Sequence, residues 1–320
     1  MPPKRDGKGA NQSPVKTSNT FRELLAETQQ GHEIRQPLYE QIERQLESQM
    51  NVKVRVLAFF TSFFWPVIIQ DSDADMIEEV LRNTDIKGRE LFLILNSPGG
   101  DGLAAERIVN IFRTYGGGSF SVIVPKMAKS AATMICFGAK SILMSLTSEL
   151  GPVDPQVPIQ DDAGRVTHYQ AAHEVIEAYD GLMRKANTTR GRVEPYLQQL
   201  QRIDARDIRR IISAQKLAEN ITVKSLKSGY LSNLSEKEIR SKVKPFLDPQ
   251  HTVSHGRPIY PELAKRCGLN VNVIDKDSDL WRSVWSLYIR LNHLVSATPV
   301  SRVVESGSTE YMTQFPHGGA

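Results

Sequence analysis

Apolar residues follow two rhythms in this chain. Val54–Phe64, Leu91–Leu95, Phe120–Val124 and Ser141–Met144 are short apolar runs, the pattern of strands covered on both faces. Between them the apolar positions recur at helical spacing. Met76, Ile77, Val80 and Leu81 follow the capping residues Asp71-Ser72-Asp73. Ala104, Ala105, Ile108, Ile111, Phe112 and Tyr115 form a second face, stopped by Gly116-Gly117-Gly118. Ala131–Phe137 is apolar all round and predicts a buried helix. Strands alternating with helices over short links predict an α/β fold with a mainly parallel sheet.

The flanks are less regular. Residues 1–20 read as a disordered basic tail and 21–50 as an N-terminal helical segment interrupted by Gly31 and Pro37. The main domain is expected over 51–294, with a strand around Ser301–Val304 and a tail in 295–320. Past residue 156, Asp161-Asp162-Ala163-Gly164 predicts a turn, and 169–187 and 194–228 predict antiparallel helices. Ser235–Phe246, Pro261–Cys267 and Asp279–Leu294 predict further helices, with a loop over His251–Gly256. The last of these helices carries Trp281 and Trp285, an apolar face suited to contact between copies.

Composition narrows the function. A formal net charge of +4, partly in the tail, does not argue for nucleic-acid binding. The arginines of 184–210 are interleaved with Glu194, Asp204 and Asp207, which reads as a solvated helical face. Cys136 and Cys267 stand alone, so neither a disulfide framework nor a zinc cluster is expected, and a reducing cytoplasm is. Val56–Ile69 is shorter than the ~20 residues of a membrane span and is broken by Pro66. No transmembrane segment and no signal peptide are therefore expected.

Two turns hold the candidate chemistry. Asn96-Ser97-Pro98-Gly99-Gly100 joins a strand to a helix, and its glycines allow backbone N–H groups to face a cleft. It is neither a Walker loop, since no Gly-Lys-Ser/Thr follows, nor a GxGxxG dinucleotide fingerprint. Ser130 stands where another strand gives way to the apolar helix, among the small residues Ala128, Ala131 and Ala132. That place suits a nucleophile, though it equally suits a helix cap. Of the histidines (His32, His168, His173, His251, His255, His293 and His317), none stands just after Ser141–Met144. A desolvated lysine can act as base instead. Lys185 shares a helix with Ile176, Tyr179, Leu182 and Met183, which can dock on the core; Lys140, Lys216 and Lys224 are rivals, and Lys129, adjacent to Ser130, is expected to point elsewhere. Glu149 and Asp154 lie in the Pro/Gly-rich loop Ser148–Gln156, as a cleft wall or as a carboxylate orienting the base, and Ser97 of the first turn is expected to line the same cleft.

Taken together, Ser97–Gly100, Lys129–Thr133 and Leu150-Gly151-Pro152-Val153-Asp154-Pro155-Gln156 resemble the serine dehydrogenase proteinase family, Clp-fold serine proteases related to signal peptide peptidase A. The resemblance is strongest over Leu57–Gln156 and continues weakly to Leu269. It implies a Clp/crotonase-like spiral of parallel β-α units, a homo-oligomer, and a peptide or protein substrate without a cofactor. It also implies Ser130 as nucleophile and an oxyanion hole from Gly99, Gly100 and the Ala131 N–H. Clp protease places a histidine where this chain has Asp154; signal peptide peptidase A uses a lysine, and Lys185 has a similar spacing. Hydrolysis of peptide bonds through an acyl-enzyme of Ser-Lys type is the expectation. A catalytically silent partner-binding scaffold and a crotonase-type acyl-CoA enzyme are the alternatives. Nothing supports a dehydrogenase.

Overall fold

The computed structural model describes residues 31–64, 67–160, 165–201, 203–248 and 256–314. Four of the apolar runs become parallel strands: β1 (Val54–Thr61), β2 (Glu90–Asn96), β3 (Ser121–Val124) and β5 (Ser141–Met144). A short parallel strand β9 (Val271–Val273) joins β5. On the other side β10 (Val300–Ser306) runs antiparallel to β1, and β11 (Glu310–Gln314) antiparallel to β10. The sheet order is β11-β10-β1-β2-β3-β5-β9.

Alternation along the strands explains why the runs are apolar throughout. Val54, Val56, Ala58 and Phe60 of β1 enter one core while Leu57 and Phe59 enter the other; Phe92 and Ile94 of β2 oppose Leu91, Leu93 and Leu95 in the same way. The first core is closed by α1 (His32–Met50) and α11 (Asp279–Ala297). The second is closed by α2 (Asp71–Arg82), α3 (Gly102–Tyr115), α4 (Ala131–Gly138) and part of α7 (Ala205–Lys227). Strands β4 (Met127–Ala128) and β6 (Glu149–Leu150) pair separately, and β4 lies in the loop that follows β3 and bridges to Ser97 after β2.

Several sequence expectations need correction. Pro37 lies inside α1 and does not break it; the lost backbone bond is offset by burial of Tyr39, Ile42 and Leu46. The α2 cap is Gln70 with Asp73 in a capping box, one residue earlier than Asp71. The helix predicted from 169 starts at Ala172 as α5 (Ala172–Thr188), because residues before it form a hairpin of β7 (Gln156–Gln160) and β8 (Val166–Ala171). Segment 194–228 divides into α6 (Glu194–Leu200) and α7, and Ser235–Phe246 into α8 (Glu236–Lys242) and α9 (Lys244–Leu247). The helix α10 (Pro261–Arg266) forms where expected. Both ends set apart from the main domain, α1 and β10–β11, pack into the same body. Trp281 is buried against α1 and β1 with Leu280, Val284 and Leu287, so the α11 face expected between copies is largely spent within the chain. The tail over 1–20, the turn over 161–164 and most of the 251–256 loop lie outside the described residues. No helix among the described residues is long and apolar enough to cross a membrane.

Candidate active site

In parallel sheets the loops at the carboxyl ends of strands form the usual ligand crevice, and both special turns lie there. The turn after β2 docks on the one after β3: Ser97 N–H donates to the Met127 carbonyl at 3.2 Å and Lys129 N–H to the Ser97 carbonyl at 3.0 Å. Ser97, expected to line the cleft, is fully buried; its Oγ lies 2.7 Å from Thr61 Oγ1 and accepts from Gly99 N–H at 3.1 Å. It braces the loop from beneath. Gly99 has φ +103°, and a Cβ there would stand 2.5 Å from the Lys129 carbonyl oxygen and 2.7 Å from Ser130 Cβ. Gly100 lies as close to Ile69: Ile69 N–H donates to the Gly99 carbonyl and Asp101 N–H to the Ile69 carbonyl, both at 2.8 Å.

Ser130 occupies φ +50°, ψ −119°, a region that costs a non-glycine residue about 1–3 kcal/mol. It sits at the N-cap of α4 yet makes no capping hydrogen bond, and it is only half-buried. The plain capping role is therefore absent. Ala131, next along, opens α4 and is fully buried. Among the described residues the amides of Gly100 and Ala131 have no intramolecular acceptor, whereas that of Gly99 is taken by Ser97. Two unpaired amides thus lie on the two docked turns, Gly100 on one and Ala131, the residue after Ser130, on the other, and Gly99 allows the close approach by having no side chain.

Two side chains fasten this turn to the β6 loop. Thr133 Oγ1 donates toward the Ala128 carbonyl at 2.7 Å and lies 3.0 Å from the Gly151 carbonyl and 3.1 Å from Gly151 N–H. Lys129 Nζ pairs with Glu149 Oε1 at 3.1 Å and with the Leu150 carbonyl at 3.3 Å. Burial pushes the Lys129 ammonium below its ordinary pKa, and the Glu149 carboxylate pulls it back. Glu149 is thus tied to Lys129, while Asp154 is buried and accepts from Gln156 Nε2 at 3.1 Å.

The base expected from the sequence is placed otherwise. Lys185 is exposed in the last turn of α5. Of that helix only Ala172 is buried; Ile176, Tyr179 and Leu182 are half-covered and Met183 is exposed, so they do not dry Lys185. The start of α5 is different. Ala172 N–H donates to the Pro155 carbonyl at 2.9 Å, and Ala171 pairs with Gln156. His173 and Asp154 therefore flank the two sides of one hydrogen bond. His173 Nδ1 is buried without a hydrogen-bond partner. No histidine stands directly after β5, where the sequence pattern leads one to expect it; the β7–β8 hairpin, which leaves little periodicity in the sequence, delivers His173 instead. From there Lys185 is 12 residues on, roughly 18 Å along the axis. Among the described residues no group of three or more His, Cys, Asp or Glu could hold a metal ion.

Residues 24–177 match the family of ClpP-like SDH-type serine proteinases. The matched segment holds both turns, Ser130, Asp154 and His173; it ends before Lys185. Two curated relatives are uncharacterized proteins of Methanocaldococcus jannaschii. MJ0137 is 38% identical over 93 residues, 28% of this chain and 30% of that one. MJ1495 is 32% identical over 115 residues, 35% of this chain and 34% of that one. The chain thus spans about a third of the length of the curated relatives it matches. Among solved structures, a serine-to-alanine mutant of the 1510-N membrane-bound stomatin-specific protease aligns over 67% of this chain and 79% of its own, with a TM-score of 0.34 and 13% identity. A lysine-to-alanine mutant of that protease with a substrate peptide gives 70%, 93%, 0.28 and 14%. The ClpP-like segment ends within α5, so α6–α11, β9, β10 and β11 lie beyond it.

Proposed function

We propose that this chain is a serine peptidase that cleaves peptide bonds through an acyl-enzyme on Ser130. The carrying observation is the strained, uncapped Ser130 pressed against Gly99, with unpaired amides at the adjacent residues Gly100 and Ala131. A hydroxyl that gives up its capping bond is left to attack, and two backbone donors next to it suit the oxyanion of a tetrahedral intermediate. His173 is the general base in this reading: it takes the Ser130 proton as the acyl bond forms and returns it to the leaving amine. Asp154 is the carboxylate that orients it. What supports His173 is the unpartnered buried Nδ1 at the end of the loop whose other end is fixed to α4 by Thr133. The peptide or protein substrate follows from the family and not from the pocket shape.

The Ser130–Lys185 dyad is the second reading. It is favoured by the half-covered apolar face of α5, which a second copy in a homo-oligomer would bury, bringing a lysine into a dry setting. The test is labelling with a fluorophosphonate, mapped by mass spectrometry, alongside peptide hydrolysis. The parent chain should label at Ser130. Ser130→Ala should lose turnover on the order of 10³-fold or more while remaining folded. His173→Ala should behave likewise and be partly restored by added imidazole, with Lys185→Met unaffected. The reverse pattern selects the lysine dyad. A parent chain that neither labels nor cleaves points to the scaffold reading, and tight acyl-CoA binding to the crotonase one.

A further inference from the structure

The loop that carries Gly99 and Gly100 is held on its outer flank by residues far away in sequence. Ile69 brackets Gly100 with two backbone hydrogen bonds at 2.8 Å. The residues on either side of Ile69 are themselves fixed. Arg302 of β10 donates from a terminal nitrogen to the Ile68 carbonyl at 3.1 Å. Asp73 of α2 accepts from Gln70 N–H at 2.8 Å. Asp73 and Arg302 then meet each other, Oδ1 to Nε at 3.0 Å, in a contact whose angle makes it ionic rather than a directed hydrogen bond. The Asp73 side chain is fully buried and that of Arg302 is 13% exposed.

We propose that the Asp73–Arg302 pair positions the oxyanion donors: it sets the height of Ile69, and Ile69 sets Gly100. This rests on the Ser130 reading. A buried ion pair is weak evidence for a stabilising role, because desolvation opposes the Coulombic gain. Here burial pushes the Asp73 carboxyl up to about 6, so the fold keeps an ionised group against its own preference. Each partner also spends a second contact on the same three-residue stretch, Ile68 to Gln70. Arg302 lies outside the 24–177 segment, so the pair joins the site to a strand that the family match does not include. Asp73 and Arg302 are positioning residues and touch no reacting atom.

The test uses the full chain with Asp73→Asn, Arg302→Met and Arg302→Lys, a chromogenic ester for kcat and KM, and hydrogen exchange at Ile69 and Asp101. Both neutral variants should lose kcat on the order of 10- to 100-fold with KM within about threefold. Arg302→Lys should recover part of the loss, since one ammonium can meet Asp73 or the Ile68 carbonyl but not both. The Ile69 and Asp101 amides should exchange faster in both neutral variants, with the unfolding midpoint of Asp73→Asn not lowered. Unchanged kcat and unchanged exchange in a parent protein that labels at Ser130 overturns the proposal alone. A parent that fails to label removes the peptidase reading instead, and exchange at Ile69 and Asp101 then decides whether the clamp exists: unchanged protection rejects it.

Discussion

Gly99→Ala tests how tightly the two turns fit. An alanine Cβ would enter 2.5 Å from the Lys129 carbonyl oxygen and 2.7 Å from Ser130 Cβ, against ordinary contacts of 3.4 Å or more. One side must retreat by nearly an ångström, and the nearest groups are backbone and Ser130 itself. The positive φ adds about 1–2 kcal/mol of backbone cost. A misplacement of about 1 Å costs on the order of 10²-fold in rate, about 2.7 kcal/mol of barrier. The assay is kcat/KM on a chromogenic ester or peptide, with thermal unfolding in parallel. Gly117→Ala is the control, because Gly117 has φ +64° and nothing within 4 Å of its would-be Cβ. It carries the backbone cost without the collision, so it should lower the unfolding midpoint and leave kcat/KM alone. Gly99→Ala within threefold of the parent, or an equal loss in Gly117→Ala, refutes the reasoning.

Thr133→Val removes the hydroxyl that joins Ala128 to Gly151 and should cost about 1–3 kcal/mol in urea unfolding together with a fall in kcat; a stability loss with full kcat would detach the β6 loop from catalysis. The Asp73 carboxyl titrates near ~3.9 when unfolded and at about 6 when buried, so its contribution is full below ~3.9 and is lost as pH rises through 6. Asp73→Asn, neutral throughout, should gain on the parent between about pH 4 and 7, by up to about 3 kcal/mol in urea melts; a constant or shrinking gap rejects this. Burial raises both thiols, Cys136 and Cys267, so native protein should resist a thiol reagent at neutral pH until unfolded; rapid modification would contradict their burial.

The parallel strands and the helices between them were readable because burial on both faces makes β1, β2 and β3 apolar without a break. The turn after β2 was readable for a related reason: Gly99 and Gly100 are the residues that a close approach of backbone requires, and the small Ala128, Ala131 and Ala132 marked the turn that it meets. The hairpin β7–β8 was not, since β7 is half-covered and contains Pro158 while β8 is mostly exposed, leaving little periodicity to read. Missing the hairpin meant missing His173, which reaches the Pro155 loop only because the hairpin folds back. Lys185 has apolar neighbours at helical spacing, which suggests a drying face. Spacing shows that residues share a face; it does not show that the chain covers that face. Asp73 and Arg302 could not be paired at all, since nothing local links α2 to β10.

The order of the sheet has a consequence for biosynthesis. Leu57 pairs with Ser306, so β1 waits beside an empty lane while the ribosome makes nearly all of the intervening chain. Until β10 emerges, β1 is an open edge that invites pairing with other chains. Until Arg302 emerges, the Ile68 carbonyl and Asp73 have no partner there. A chain built this way matures late: the Ser130 turn can be made long before β10 supplies the outer support of the Gly99–Gly100 loop. Truncation just before Val300 should therefore yield a chain that holds the Gly99–Gly100 and Ser130 turns yet aggregates and leaves the Ile69 and Asp101 amides poorly protected from exchange, with maturation timed by translation itself.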